Sequence, residues 1–289
     1  MKIVNIIGGL GNQMFQYAFA LYLKNKYVKE EILIDIHHFK HYKLHNGFEL
    51  SRIFKNLNID VANKKQLQEI TYYIPHYYLF RCVRRLFPRL KTEYIEKAEY
   101  KYDNAVSKIE GNCYYEGYWQ SCKYYLDIKS DIIDVFTFPN PDEYNKQLVL
   151  NIESSNSVGI HVRRGDYINH KDFKGICDID YYKRAIGKLF ERSDKYFFYI
   201  FSNDIEWCKS NLELLLGNNQ VTYVTGNIGK NSFWDMFLMS KCKHLIIANS
   251  SFSWWGAFLN INIYNIYAPK KWNNRYKVNE ICCPEWTQV

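Results

Sequence analysis

Two arginines stand side by side in residues 158–169, VGIHVRRGDYIN, directly after an apolar run that predicts a buried strand. Arg163 falls at the carboxyl end of that strand, which is where open parallel sheets bind their ligands. Arginine offers a planar fork of N–H donors that suits phosphate oxygens, and Gly165 lets the backbone turn closely. The alternative is a structural ion pair with Asp166. The motif therefore indicates either an anion site or an ion pair.

A second polar segment, residues 246–256 with the sequence IIANSSFSWWG, also follows an apolar run and precedes a helical pattern. A helix start needs one N-cap serine, and Ser251 or Ser253 would serve. Three serines and Asn249 exceed that need, and the backbone N–H groups of a helix start bind anions. We therefore predict an anion cradle here, with the two tryptophans in the core behind it.

A third apolar run ends in polar side chains at residues 199–204, YIFSND. Ser202, Asn203 and Asp204 fit two roles, since they would cap the following helix or hold a ribose or a base edge. The sequence leaves both roles open.

The N-terminal segment IIGGLGNQMF, residues 6–15, matches half of a dinucleotide-binding fingerprint. Met14 stands where the third glycine would be, although Asp35 is spaced like a ribose-binding acid. We therefore expect no dinucleotide site, but a glycine turn that presents polar side chains at a binding cleft. The candidate residues of this turn are Gly9, Gly11, Asn12 and Gln13.

Two patterns raise the question of a metal site. Asp178 and Asp180 have the spacing used by metal-dependent sugar transferases, but Asp180 falls where it would cap a helix. His37, His41 and His45 would align only on a helix, and their neighbours favour a loop. The sequence therefore predicts no metal ion and no cofactor.

The elements that would carry these motifs alternate between strand and helix in both halves of the chain, which predicts α/β units with parallel sheets. Between the halves, residues 136–146, FTFPNPDEYNK, contain two closely spaced prolines followed by polar residues. We place the domain boundary there, giving an acceptor-side domain over 1–145 and a donor-side domain over 146–289.

The composition and net charge indicate which classes of binding partner the protein has. The net charge of +8 favours anionic partners, such as nucleotide phosphates, nucleic acid or acidic lipid. Aromatic residues make up 18% of the sequence. The eight cysteines show no Cys-x-x-Cys spacing, and the apolar run after Met1 is too short for a signal peptide or a membrane span. We therefore expect a cytoplasmic protein with reduced cysteines.

The segment 77–91, YYLFRCVRRLFPRLK, combines basic and apolar residues without any acidic one. In a helix its apolar residues share one face, broken at Pro88, and this predicts either a membrane-surface helix or a packed helix with a basic outer face. The apolar set is Leu79, Val83, Leu86, Phe87 and Leu90, and the basic set is Arg81, Arg84, Arg85, Arg89 and Lys91.

Taken in order, GGLGNQMFQYAFA, EGYWQS, HVRRGDY, FSND and NSSFSWWGAFL resemble the motifs of the bacterial α-1,2-fucosyltransferase family. The likeness runs from residue 3 to about residue 268, and residues 55–110 carry none of its motifs. It implies an α/β fold of GT-B type, with two Rossmann-like domains facing across a cleft. It also implies an inverting, metal-independent transfer of L-fucose from GDP-fucose to the 2-hydroxyl of a terminal β-galactoside.

The resemblance also implies roles for individual residues, with Arg163 on the donor pyrophosphate. The donor-binding residues implied by the motifs, or by their place beside them, are His161, Arg164, Ser202, Asn203, Asp204, Asn249, Ser250, Ser251, Phe252 and Ser253. Because a carboxylate beside an arginine is a weak proton acceptor, we predict that Asp166 mainly positions the arginines. The expected acceptor is a galactose-terminated oligosaccharide or lipid-linked glycan of surface polysaccharide synthesis, and nucleic acid is not an expected partner. The alternatives are another nucleotide sugar and a non-catalytic binding protein.

Overall fold

The structure, a computed structural model, describes residues 1–41, 45–192 and 195–289. Contacts divide the chain into two compact units, Met1–Pro139 and Asn140–Val289. The predicted boundary after residue 145 would cut a helix that begins at Glu143 and belongs wholly to the second unit. Its first turn is held by Asp142, which caps it by accepting from the Asn145 backbone N–H at 2.9 Å.

The N-terminal unit is a parallel sheet with helices. Its strands are β1 (Lys2–Asn5), β2 (Ile32–Asp35), β3 (Asp60–Val61), β4 (Glu93–Ile95) and β5 (Cys113–Glu116). Its helices are α1 (Leu10–Lys26), α2 (Leu50–Ile53), α3 (Lys64–Ile70), α4 (Tyr77–Leu86) and α5 (Lys129–Val135). The described strands lie in the order β3-β2-β1-β5-β4, all paired in parallel. The predicted strand–turn–helix–strand opening of the chain is confirmed.

Helix α1 holds the N-terminal unit together because its first thirteen residues are almost entirely buried. Phe19 stacks flat on Trp119, with ring centroids 4.0 Å apart, and Tyr124 meets both rings edge-on. These aromatic contacts tie α1 to the segment that follows β5.

The C-terminal unit repeats the alternation with a larger sheet. Its strands are β6 (Ser157–Val162), β7 (Phe197–Ser202), β8 (Gln220–Val224), β9 (His244–Ile246), β10 (Asn265–Ala268) and β11 (Thr287–Gln288). Its helices are α6 (Glu143–Ser154), α7 (Ile179–Phe190), α8 (Ile205–Leu216), α9 (Phe233–Met239) and α10 (Ser251–Phe258). The described strands lie in the order β11-β10-β9-β6-β7-β8, again in parallel. Every residue of β6 is buried, as expected for a central strand covered on both faces, and Trp254 and Trp255 lie in the core as predicted.

Helix α4 turns an aromatic and a basic side chain toward the protein. Phe80 is buried, and the Arg84 side chain is buried with it, 7% exposed. Arg84 is drawn inward because its Nη1 lies 2.5 Å from Glu93 Oε2 and its Nη2 donates to Thr71 Oγ1 at 3.1 Å. Leu79 and Leu86 are exposed, which does not fit the alternative of a packed helix with its apolar face inward. Separately, none of the described helices has the length and apolar character needed to cross a bilayer.

Candidate functional site

Three turns of the C-terminal unit open on one edge of its sheet. β6 ends just before the arginine pair, β7 ends at Ser202, and β9 leads through a short turn into α10 at Ser251. Because β9, β6 and β7 are parallel neighbours, their carboxyl ends lie at the same edge. The structure therefore brings the predicted donor-side motifs together.

Arg164 is fixed in place by several contacts. Its backbone N–H donates to Asn203 Oδ1 at 3.0 Å, and its Nε lies 3.0 Å from Asp204 Oδ2. Its guanidinium also lies over the Trp207 ring, 4.2 Å from the centroid. Gly165 permits this packing, because a Cβ there would stand 2.3 Å from Asn203 Nδ2. The β6 and β7 turns are thereby joined through one arginine.

Arg163 is held more loosely. Its Nη2 lies 2.8 Å from Asp166 Oδ1, with the two side chains 34% and 59% exposed. Its guanidinium also lies 5.5 Å from the Tyr167 ring centroid. The ion pair that the sequence offered as an alternative is therefore present, yet it leaves the arginine accessible to a ligand.

His161 supplies a buried neutral ring beside the arginines. Burial lowers its pKa to about 3, and the positive charge of Arg163 acts in the same direction. Its Nδ1 is buried and has no hydrogen-bond partner among the described residues. Such atoms are rare in folded proteins and are often completed by a ligand or water. His161 can therefore exchange a hydrogen bond with a ligand but not a charge.

The start of α10 is capped by Ser250, not by Ser251 or Ser253. Ser250 Oγ accepts from the Phe252 backbone N–H at 3.3 Å. The Ser251 side chain is half-buried and lies in the first turn. First-turn N–H groups of a helix have no acceptor within the helix, so this end suits an anion.

Two residues of the same motif point into the protein instead. Asn249 Nδ2 donates to the Trp272 carbonyl at 3.1 Å, and the Ser253 hydroxyl donates to the carbonyls of Ala248 and Ser250, each at 3.3 Å. Both side chains are buried. Asn249 and Ser253 therefore shape the turn and do not reach its surface.

The β7 turn takes the capping role that the sequence left open. Asp204 caps α8 by accepting from the Trp207 backbone N–H at 3.2 Å, and Ser202 Oγ accepts from the Asp204 N–H at 2.9 Å. Asn203 is exposed. Asp204 thus serves the helix and Arg164 together.

In the N-terminal unit the glycine turn is built around Gln13, which is fully buried. Its amide donates to the carbonyls of Gly8 and Gly47 and accepts from the Glu49 N–H, at 2.8–2.9 Å. Gly8 needs its φ of +92°, which a residue with a Cβ rarely adopts. Gln13 can therefore influence a ligand only by holding this turn.

Asn12 is the more accessible side chain of the turn, beside Gly9 and the buried Gly11. Its Oδ1 accepts from Gln120 Nε2 at 2.9 Å, which connects the turn to the EGYWQS motif after β5. Gln16 makes a second link by donating to the Gly117 carbonyl at 3.0 Å. The two N-terminal motifs therefore form one assembly at the carboxyl edge of their sheet.

Glu96 is a residue of this edge that the sequence did not single out. It follows β4, and its carboxylate accepts from the backbone N–H groups of Tyr118 and Trp119 at 2.7 and 3.1 Å. Gly117 makes room for it, since a Cβ there would lie 2.5 Å from Glu96 Cβ. Burial raises the pKa of Glu96 to about 7, against the lowering effect of these two N–H groups.

Asp235, in α9 of the C-terminal unit, is a second buried acid that the sequence did not single out. Burial raises its pKa to about 7, and Asn227 Nδ2 donates to it at 3.0 Å. The signal in the sequence is weak, because an acid in the first turn of a helix is common.

The remaining candidates have structural partners. Asp35 is buried and accepts from His37 and Tyr114, so it is occupied within the protein. Asp178, and not Asp180 as predicted, caps α7 by accepting from the Tyr181 N–H. Among the described residues, no three His, Cys, Asp or Glu side chains group as metal ligands would.

Comparisons with known proteins identify the family of the chain. The family model "Glycosyl transferase family 11" matches residues 1–289. The chain is 36% identical to an Escherichia coli alpha-1,2-colitosyltransferase, over 99% of this chain and 98% of that protein. It is 32% identical to the Escherichia coli O-antigen biosynthesis glycosyltransferase WbnK, over 94% and 95%. A galactoside alpha-(1,2)-fucosyltransferase 2 from Hylobates lar is 26% identical, over 100% and 79%.

Among solved structures, an Arabidopsis thaliana FUT1 variant in complex with GDP aligns with a TM-score of 0.51 and 12% identity, covering 97% of this chain and 72% of that one. At this identity the likeness shows the fold alone, and with the two parallel sheets it confirms the predicted α/β class of GT-B type. On the match of its whole length to the family model, the chain belongs to glycosyl transferase family 11.

Proposed function

We propose that this glycosyltransferase moves L-fucose from GDP-β-L-fucose to the 2-hydroxyl of a terminal β-galactoside, forming an α-1,2 linkage with inversion. The observation that carries the proposal is the convergence of Arg163, Arg164 and the start of α10 at one sheet edge. His161 lies beside them, and its buried Nδ1 has no hydrogen-bond partner in the described ranges. Relatives named for α-1,2 transfer and for O-antigen biosynthesis support the linkage and a role in surface polysaccharide synthesis.

A second donor follows from a specific observation, the 36% identity to an alpha-1,2-colitosyltransferase. Colitose is L-fucose without its 3-hydroxyl group, so the two donors share the nucleotide and the anomeric centre. A site with a polar partner for the 3-hydroxyl would select fucose, because that partner would otherwise be left without a hydrogen bond. We therefore treat GDP-colitose as the alternative donor.

In the proposed mechanism the protein stabilises the leaving group. As the bond between the sugar and the β-phosphate breaks, negative charge develops on the phosphate oxygen, and preorganised donors lower the barrier most effectively. Arg163 would meet this charge by exchanging part of its contact with Asp166. Arg164 and the first turn of α10 would hold the other phosphate oxygens, and neutral His161 would add a hydrogen bond.

The acceptor hydroxyl must lose its proton as it attacks. Asp166 is already paired with Arg163, so we assign it a positioning role. If the transition state has strong oxocarbenium character, the proton leaves late. Because inversion places the acceptor on the face opposite GDP, the proton would pass through water to an oxygen of the departing phosphate. Asn12 would then help by orientation alone. Because arginines and a helix start supply the positive potential, we propose that the transfer requires no metal ion.

A donor panel tests the proposal. Purified protein is incubated with lactose and, separately, GDP-L-fucose, GDP-colitose, GDP-mannose or UDP-galactose, and GDP or UDP release is measured with and without lactose. We expect lactose-dependent release of GDP from GDP-fucose, and NMR of the product should show an α-1,2 linkage. Higher kcat/KM with GDP-colitose would select the alternative donor, and donor binding without turnover on any galactoside would make this a binding protein.

We further propose that the enzyme works in the cytoplasm, on a galactose-terminated oligosaccharide or lipid-linked glycan at the inner face of the membrane.

Thermal-shift measurements with GDP and UDP check the nucleotide separately from the acceptor, because they need no turnover. A stabilisation by GDP that UDP does not give is the expected result.

A further inference from the structure

Helix α4 presents a mixed apolar and basic surface that the site described above does not use. We define the α4 surface by its exposed residues, which are Tyr78, Leu79, Arg81, Cys82, Arg85, Leu86 and Phe87. Its large apolar side chains are 52% exposed at Tyr78, 55% at Leu79, 78% at Leu86 and 56% at Phe87. Exposed apolar groups that cluster in this way mark interaction sites more often than single ones do.

The outward direction of these residues is fixed by what α4 buries. Phe80 lies in the core, and Arg84 is locked between Glu93 and Thr71, with its guanidinium over the Phe80 ring at 4.6 Å. At 100° per residue, Leu79 and Leu86 then stand on the opposite side of the helix from Arg84, with Cys82 between them and the arginines. The α4 surface is therefore held rigidly outward.

Charge complementarity identifies the partner. Arg81 and Arg85 are exposed on one flank of the α4 surface, exposed Lys91 lies beyond it, and residues 77–91 contain no acid. Anionic lipid headgroups attract such side chains by about 1 kcal/mol each, while leucine and aromatic side chains enter the headgroup boundary. We propose that the α4 surface docks this protein on an anionic lipid bilayer.

The test uses the whole protein and vesicles without donor or acceptor, so its result is independent of the proposed function. Sedimentation with phosphatidylcholine vesicles is compared with vesicles of equal parts phosphatidylcholine and phosphatidylglycerol. We expect binding to the anionic vesicles only, and release at high salt, because exposed charges are screened. Arg81→Gln with Arg85→Gln should lower the partition coefficient roughly 30-fold.

The matched control is Lys183→Gln with Arg184→Gln, which removes two adjacent exposed cations from α7 in the other unit. It should lower the partition coefficient by less than about threefold, since those cations are not part of the α4 surface. Arg84 is left intact in every variant, because its burial would confound folding with binding. Thermal unfolding of each variant confirms that the protein remains folded.

The apolar part of the α4 surface is tested through Cys82. All eight cysteines lie in the described ranges, and Cys82 is the exposed one, so a polarity-sensitive thiol dye will label it selectively. Its emission should shift to the blue on anionic vesicles, and Leu79→Ser with Leu86→Ser should remove the shift. Equal binding to neutral vesicles, no binding at all, or an equal loss in the α7 control would overturn the proposal. So would a dimer in sedimentation velocity that the leucine variants dissolve, since the occupant would then be a second copy.

Discussion

Arg163→Lys tests most directly whether the arginine pair stabilises a leaving group. Arg163 uses its Nη2 to contact Asp166 Oδ1 at 2.8 Å. The other N–H donors of its guanidinium can bind a ligand. Lysine retains the charge but has no planar fork, so it cannot hold Asp166 and two phosphate oxygens in the same geometry. Loss of one preorganised donor to a developing oxyanion costs roughly 100- to 1000-fold in kcat, or about 3–4 kcal/mol.

Arg163→Lys should change the free energy of unfolding very little. The Arg163–Asp166 pair is 34% and 59% exposed, and exposed pairs contribute about 1 kcal/mol at most to unfolding stability. Arg164→Lys is the contrasting variant, because it removes the Nε contact with Asp204 and the packing on Trp207. We expect it to lose about 1–2 kcal/mol of stability as well as donor affinity.

The assay is steady-state transfer from GDP-fucose to lactose, with thermal unfolding of each variant at the same pH. Near-normal kcat in Arg163→Lys, with unfolding unchanged, would refute the leaving-group role and leave Arg163 as a surface ion-pair residue. A large fall in the unfolding temperature of Arg163→Lys would equally contradict the assignment, because the loss of activity would then follow from the fold.

Three further outcomes are expected. Asp166→Asn should weaken donor binding and turnover by roughly 5-fold, since Asp166 positions Arg163. A loss of five orders of magnitude in turnover, at unchanged GDP affinity, would instead identify Asp166 as the base. Activity should persist in EDTA, and a loss that Mn²⁺ or Mg²⁺ restores would return attention to Asp178 and Asp180. The raised pKa of Glu96, about 7 against an ordinary 4.5, means that the folded state binds its proton more tightly than the unfolded state. Stability should therefore fall as pH rises between these values, by about 3 kcal/mol at most. Urea unfolding of Glu96→Gln should match wild type at pH 4.5 and exceed it at pH 8, and a difference independent of pH would contradict the burial of this carboxyl.

Much of the candidate site in the C-terminal unit could be predicted because the relevant physics is local. An apolar strand ending in Arg163, and a serine-rich turn entering α10, fix where the side chains stand once the strands are known to be parallel. The same reasoning chose the wrong cap for two helices. Ser250 and Asp178 each cap a helix whose predicted cap lay one to three residues later, since neighbouring polar residues compete and the sequence does not rank them.

The N-terminal unit was less predictable because its decisive contacts are distant in sequence. Arg84 turns inward because Glu93 and Thr71 meet it there, whereas the sequence grouped it with the other basic residues of 77–91. Glu96 is recognised as part of the site edge only once Gly117 and its neighbouring N–H groups are packed against it. The hydrophobic periodicity of residues 77–96 does not predict these long-range contacts.

The two arginines lose their side-chain conformational entropy in different processes, because Arg164 is held by more contacts than Arg163. A long side chain gives up about 2 kcal/mol of rotamer freedom when it is immobilised. Arg164 has lost this freedom on folding, through Asp204 and Trp207. Arg163, which is partly exposed and pairs with the more exposed Asp166, still has much of this freedom to lose. On the proposed function, tightening the hold on Arg163 would therefore raise the ground-state affinity for nucleotide, GDP product included, and product release would become slower as the donor bound more tightly.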